Sequence, residues 1–180
     1  MTWLHLQPAR SATLARRAEL QPVIQLPRDA TVMPGARVYA GSVFGDGLFV
    51  GDGACIAEGC RFGARCVVGR NAVIGQHVTL GDEVRVMDLS FIVGGTIIGA
   101  RTFVGIGVVT SNDPDPQPYV WDDARMAPPR IGADCMIGSG AVICPGVTIG
   151  DGARIWAGAL VASDVPPGAT VRSRPAEIVR

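Results

Sequence analysis

The sequence predicts an all-β protein wound as a parallel β-solenoid with one extruded loop. Three observations carry that reading: an apolar residue returns every six positions, the composition is rich in turn formers, and the rhythm breaks once, over residues 111–130. A period of six fits neither the 3.6 of an α-helix nor the alternation of a flat sheet. Repeats this short mark coils of short parallel strands.

The register runs without a slip from Leu26 through Val32, Val38, Phe44, Val50, Ile56, Phe62, Val68, Ile74, Leu80, Val86, Ile92 and Ile98 to Val104. It resumes at Ile131 and continues to Val161. Three units close one triangular coil, so these leading side chains point into a prism and residues eighteen apart stack. Phe44, Phe62 and Leu80 are therefore expected in one column. The second place of a unit is often glycine, which is expected to serve the turn through positive φ. The fifth place is small or β-branched, with Leu48 the bulky exception. At a strand spacing of about 4.8 Å, some six coils give a prism roughly 30 Å tall.

With 24 glycines, 13 prolines and two histidines in 180 residues, the chain is expected to form one domain of strands and turns rather than a helical bundle. Residues 1–25 are expected to cap the prism, with Ser11 to Leu20 as a short helix started by Ser11. Residues 26–171 form the solenoid and 172–180 a tail, and Val165-Pro166-Pro167-Gly168-Ala169 is expected to end the strand ladder. A formal net charge of zero argues against nucleic acid as a partner. The absence of a long apolar run argues against a membrane span or signal peptide, so a cytoplasmic location is expected. Five irregularly spaced cysteines suit neither a disulfide framework nor a metal site; Cys60, Cys66 and Cys135 are expected to be buried thiols.

The register, the single excursion and the stretch Ile137-Gly138-Ser139-Gly140-Ala141-Val142-Ile143-Cys144-Pro145-Gly146-Val147-Thr148-Ile149-Gly150-Asp151-Gly152-Ala153 resemble a hexapeptide-repeat acyltransferase over residues 26–178. That resemblance implies a left-handed parallel β-helix, a homotrimer, and acyl-coenzyme A, usually acetyl-coenzyme A, bound between neighbouring prisms. The segment Phe103 to Asp113, ending in Ser111-Asn112-Asp113, is similar to the N-acetyltransferase branch that acts on amino groups of nucleotide-linked sugars. It implies catalytic roles for Asn112 and Asp113. It also implies coenzyme contacts from Gly138, Ser139 and Gly158. At the chain end Ala162-Ser163-Asp164 stands where the family has a lysine, putting Ser163 at that coenzyme position; Arg172 and Arg174 are expected to replace the lost cation.

The loop carries no histidine, and the chain has only His5 and His77. An alcohol needs a base before it can attack a thioester, whereas a sugar amine is partly neutral near pH 7, so the missing histidine favours an amine. Asn112 is expected to hold that amine or its neighbouring hydroxyl, and Asp113 to orient it or take its proton, directly or through water. An Asx-turn at the loop start is the competing role for both. Tyr119, Trp121 and Arg130 are expected to wall the acceptor, and a nucleotide sugar is one candidate. The alternatives are O-acetyl transfer with His77 as base, or an assembly module without catalysis.

Overall fold

The computed structural model describes residues 13–14, 19–20, 24–116 and 122–173. Among these, every strand is two residues long and lies in one of three parallel sheets, of nine, eight and six strands. We call these the first, second and third faces, in the order a coil visits them starting at Thr31–Val32, Arg37–Val38 and Val43–Phe44. Partners lie eighteen residues apart, as in Val32↔Val50 and Val38↔Ile56. The leading residues are buried almost throughout, so the core is a stack of aliphatic columns. Phe44 and Phe62 share a column with Leu80, and their rings meet edge-on at 5.2 Å. Leu48 fits because the residues below and above it, Ala30 and Cys66, are small.

The fifth place does more than fill space. The thiols of Cys60, Cys66 and Cys135 each lie 3.2 Å from a carbonyl oxygen in the coil above, those of Gly75, Gly81 and Gly150. The hydroxyls of Ser90 and Thr102 do the same with Gly105 and Gly132. Each buried polar group therefore finds a partner and strengthens the join between coils.

Four expectations need correction. The segment read as a helix contains strands Thr13–Leu14 and Glu19–Leu20, which pair with Thr31–Val32 and Arg37–Val38. Leu14 and Leu20 continue the six-residue spacing back from Leu26, and the ladder overrides local helix propensity. At the far end the ladder does not stop at Val165, which bridges to Ile149, while Thr170–Val171 pairs with Arg154–Ile155. This coil is two residues short, and the Asp164 carboxylate takes the Thr148 amide at 2.7 Å. The stack is accordingly taller than six coils. Finally, positive φ falls at the fourth place, as at Gly47, Arg65 and His77, and not at the second. Second-place glycine is needed for close approach: a Cβ on Gly45 would sit 2.6 Å from the Ala64 nitrogen.

The candidate acceptor groove and coenzyme edge

The chain leaves the ladder at a residue that stands out within its column. Thr110 occupies a leading place that is otherwise apolar, and it is buried. One coil below, the Gly75 amide donates to the Ile92 carbonyl at 2.7 Å; the equivalent Val93 amide donates instead to the Thr110 hydroxyl at 2.8 Å. The side chain has taken over the ladder bond, and only Phe91↔Val109 remains paired at this step of the second face. The neck is closed by Ala127, whose amide donates to the Asn112 carbonyl (2.7 Å) and whose carbonyl accepts from Gly146 (2.6 Å). Strand Arg130–Ile131 then rejoins the third face against Ile97–Ile98.

Within the excursion, Asp113 accepts the Asp115 amide at 3.0 Å, which is the Asx-turn anticipated for a loop start. Asp122 accepts the Ala124 amide ahead of a 3₁₀ turn at Asp123–Arg125, and Arg125 donates to the Asp115 carbonyl. Tyr119, Trp121 and Arg174 lie outside the described residues. Arg130 points out from the third face and is exposed.

Asn112 is half-buried on the edge between the second and third faces, in a groove of about 610 Å³ with Gly75, Gln76, His77, Val93, Gly94, Gly95, Met126 and Pro128. The only hydrogen bond of its side chain among the described residues is a long one, 3.5 Å, from Nδ2 to the Gly94 carbonyl. His77 is exposed in this groove, but its imidazole leans onto Gly59, one coil toward the N-terminal end and away from Asn112. Gln76 and Val93 were not picked out in the sequence, nor was Thr110. The legible signal for Thr110 was a hydroxyl in a column of aliphatics.

The residues expected at the coenzyme lie mostly on a different edge. Gly138, Ser139 and Gly158 sit between the first and second faces, and Arg172 follows on the same edge after strand Thr170–Val171. The Gly138 amide donates to Ile155 and the Gly158 amide to Ser139, so neither is available to a ligand. The Ser139 amide has no partner among the described residues, and exposed Arg172 makes no ion pair there. Ser163 is exposed on the edge that carries Asn112, beside a second groove of about 290 Å³ formed where the last coil shortens. Among the described residues no three metal-binding side chains cluster, and no helix is long and apolar enough to cross a membrane.

Two hexapeptide families match the chain: bacterial transferase hexapeptide (six repeats) over residues 128–163, and the hexapeptide repeat of succinyl-transferase over residues 55–87. The bifunctional protein GlmU of Allorhizobium ampelinum is 38% identical over 82 residues, 46% of this chain and 16% of that protein. A 2,3,4,5-tetrahydropyridine-2,6-dicarboxylate N-acetyltransferase of Staphylococcus aureus is 38% identical over 82 residues, 46% of this chain and 31% of that protein. The chain thus spans less than half the length of these relatives. Among solved structures, a mutant of perosamine N-acetyltransferase from Caulobacter crescentus, in complex with CoA and GDP-perosamine, superposes with a TM-score of 0.53 at 23% identity. That match covers 84% of this chain and 56% of the other, and shows a shared fold. The two family matches fall on the six-residue repeat and its three-faced coil, so in these stretches the chain carries repeats similar to those of the bacterial hexapeptide transferases.

Proposed function

We propose that the protein is an acyl-coenzyme A-dependent N-acyltransferase that moves an acyl group, acetyl in the first instance, to the amino group of a small acceptor such as an amino sugar or sugar nucleotide. The observation that carries this reading is Asn112: a half-buried amide in an open groove, at the single break in the repeat, with little structural work of its own. In the reaction the amine nitrogen attacks the thioester carbonyl, the C–N bond forms and the C–S bond breaks. The proton lost by nitrogen ends on the coenzyme thiol. Asn112 holds the incoming amine, and the Ser139 amide is the donor free to face an oxyanion or thioester carbonyl.

Asn112 and Ser139 belong to different edges, separated by the second face. A complete site therefore needs the Asn112 edge of one copy against the Ser139 edge of another, which supports a homotrimer of prisms. The second face offers a surface for such packing, since Phe91, Val109, Val142 and Leu160 form an exposed apolar column. A second reading, O-acyl transfer with His77 as base, is favoured by one observation, the presence of His77 in the Asn112 groove. The test is release of coenzyme thiol from acetyl-coenzyme A with amine or alcohol acceptors. Amine-dependent release that falls ten- to a thousandfold in Asn112→Ala, about 1–4 kcal/mol at the barrier, supports the first reading. Release with alcohols alone supports the second.

A further inference from the structure

Gln76, Gly94 and Asn112, which line the groove, belong to one column of third-place residues, each one coil above the last, that continues below the groove to Glu58. The column is not built for the fold alone. Gly94 has no positive φ that would call for glycine, and a Cβ there would lie 3.1 Å from the Gln76 carbonyl. With hydrogen in that position, nothing projects between the Gln76 and Asn112 amides, and the groove stays open. Below, Gln76 Nε2 donates to Glu58 Oε1 at 2.7 Å. That bond fixes which end of the amide is which. No donor among the described residues reaches Gln76 Oε1, and Glu58 makes no ion pair with any of them.

We infer that Gln76, oriented by Glu58, is a specificity-determining residue of the acceptor site, and that its Oε1 accepts a hydrogen bond from a second polar group of the acceptor while Asn112 holds the reactive amine. This rests on the N-acyltransferase reading above. Gln76 and Asn112 are two coils apart, roughly 10 Å along the column at the strand spacing. The acceptor class this selects is a ring or chain amine with a hydroxyl or second amine several bonds away, an amino sugar or a diamine, rather than a simple hydrocarbon amine. Glu58 is a positioning residue: it acts through the Gln76 amide.

The experiment compares acetyl transfer to D-glucosamine and to cyclohexylamine, a six-membered-ring amine without hydroxyls, followed by coenzyme release, with kcat/KM expressed per unprotonated amine because the two differ in basicity. The wild type is expected to favour D-glucosamine in kcat/KM by about tenfold or more, because a site built to accept a donor discriminates against the analogue lacking it. Gln76→Ala should bring the ratio close to one. Glu58→Ala should lower it too, and Glu58→Gln, whose carbonyl still accepts from Nε2, should restore it. Gln76 is exposed, so these changes leave folding intact. A wild-type ratio near one, or an unchanged ratio in Gln76→Ala, overturns the role of Gln76 and leaves N-acyl transfer standing. If neither amine turns over, it is the N-acyltransferase reading that fails, and D-glucosamine binding is read from the His77 imidazole NMR signals. A saturable shift lost in Gln76→Ala then upholds the subsite, and no shift, or one that survives the substitution, overturns it.

Discussion

The corners at Asp82 and Asn112 occupy the same place in their units and do opposite things. Asp82 folds its carboxylate back over Gly63 and accepts the Ala64 amide at 2.8 Å, and Asp88 and Asp151 repeat the device on Arg70 and Ala133. It works because a second-place glycine leaves room for the carboxylate. Below Asn112 the second place is Val93, which carries a side chain where the regular corner has a glycine under its carboxylate. Asn112 is left with a 3.5 Å contact and a groove. The difference teaches where to look in a repeat protein: a polar side chain relieved of structural duty is the one a proposed site can use.

The largest way to break the comparison is to put valine where the regular corner requires glycine. In Gly63→Val the new Cβ would sit 2.5 Å from the Asp82 backbone nitrogen, inside a ladder that cannot give. We expect a loss of roughly 3 kcal/mol or more, read by thermal or denaturant unfolding. The opposite change, Val93→Gly, should cost only about 1 kcal/mol.

Exchanging duties sharpens it further. Asn112→Ala should lower turnover ten- to a thousandfold while the melting temperature barely moves. Asp82→Ala should do the reverse, costing about 1 kcal/mol of stability for its lost hydrogen bond with the rate unaltered. A rate loss in Asp82→Ala comparable to that in Asn112→Ala would erase the distinction between the two corners.

Thiol labelling tests the coil joints. Cys60, Cys66 and Cys135 are buried, and burial pushes the Cys66 thiol up to about 11 and raises the other two as well. At pH 8 only the half-buried Cys55 and Cys144 should react in the folded protein. Rapid labelling of all five would mean that the joints open readily.

The smallest effect is at the third edge, where Arg101 grips Asp134 through two bonds, at 2.7 and 2.6 Å. The hydrogen bond and charge of Arg101 hold the Asp134 carboxyl below its ordinary range. A depressed folded pKa contributes stability above the unfolded pKa and loses it as pH falls through the folded value. Arg101→Gln should therefore lower the melting temperature slightly at neutral pH and make no difference at acid pH, below the folded pKa of Asp134. The two side chains are about half exposed, so the effect is small.

Most of the fold was legible because a six-residue period constrains every third strand to stack, and that constraint named the columns down to Phe44 over Phe62. The ends were harder. Leu14 and Leu20 were in register, but Ala15, Arg16, Arg17 and Ala18 between them favour helix locally. The shortened final coil depends on one carboxylate, Asp164, replacing missing backbone, which no periodicity reveals. For the site, the break itself pointed to Asn112. The partnering of Gln76 with Glu58, and the engagement of the Gly138 and Gly158 amides, are three-dimensional facts about coils eighteen residues apart.

The central claim, that Asn112 positions an amine already able to attack, is tested most directly by the pH dependence of kcat/KM for a series of amine acceptors of different basicity. The account predicts an acidic limb that follows each acceptor's own amine pKa and shifts from one acceptor to the next. An acidic limb fixed across acceptors and abolished by His77→Ala would contradict it and identify a histidine base in its place.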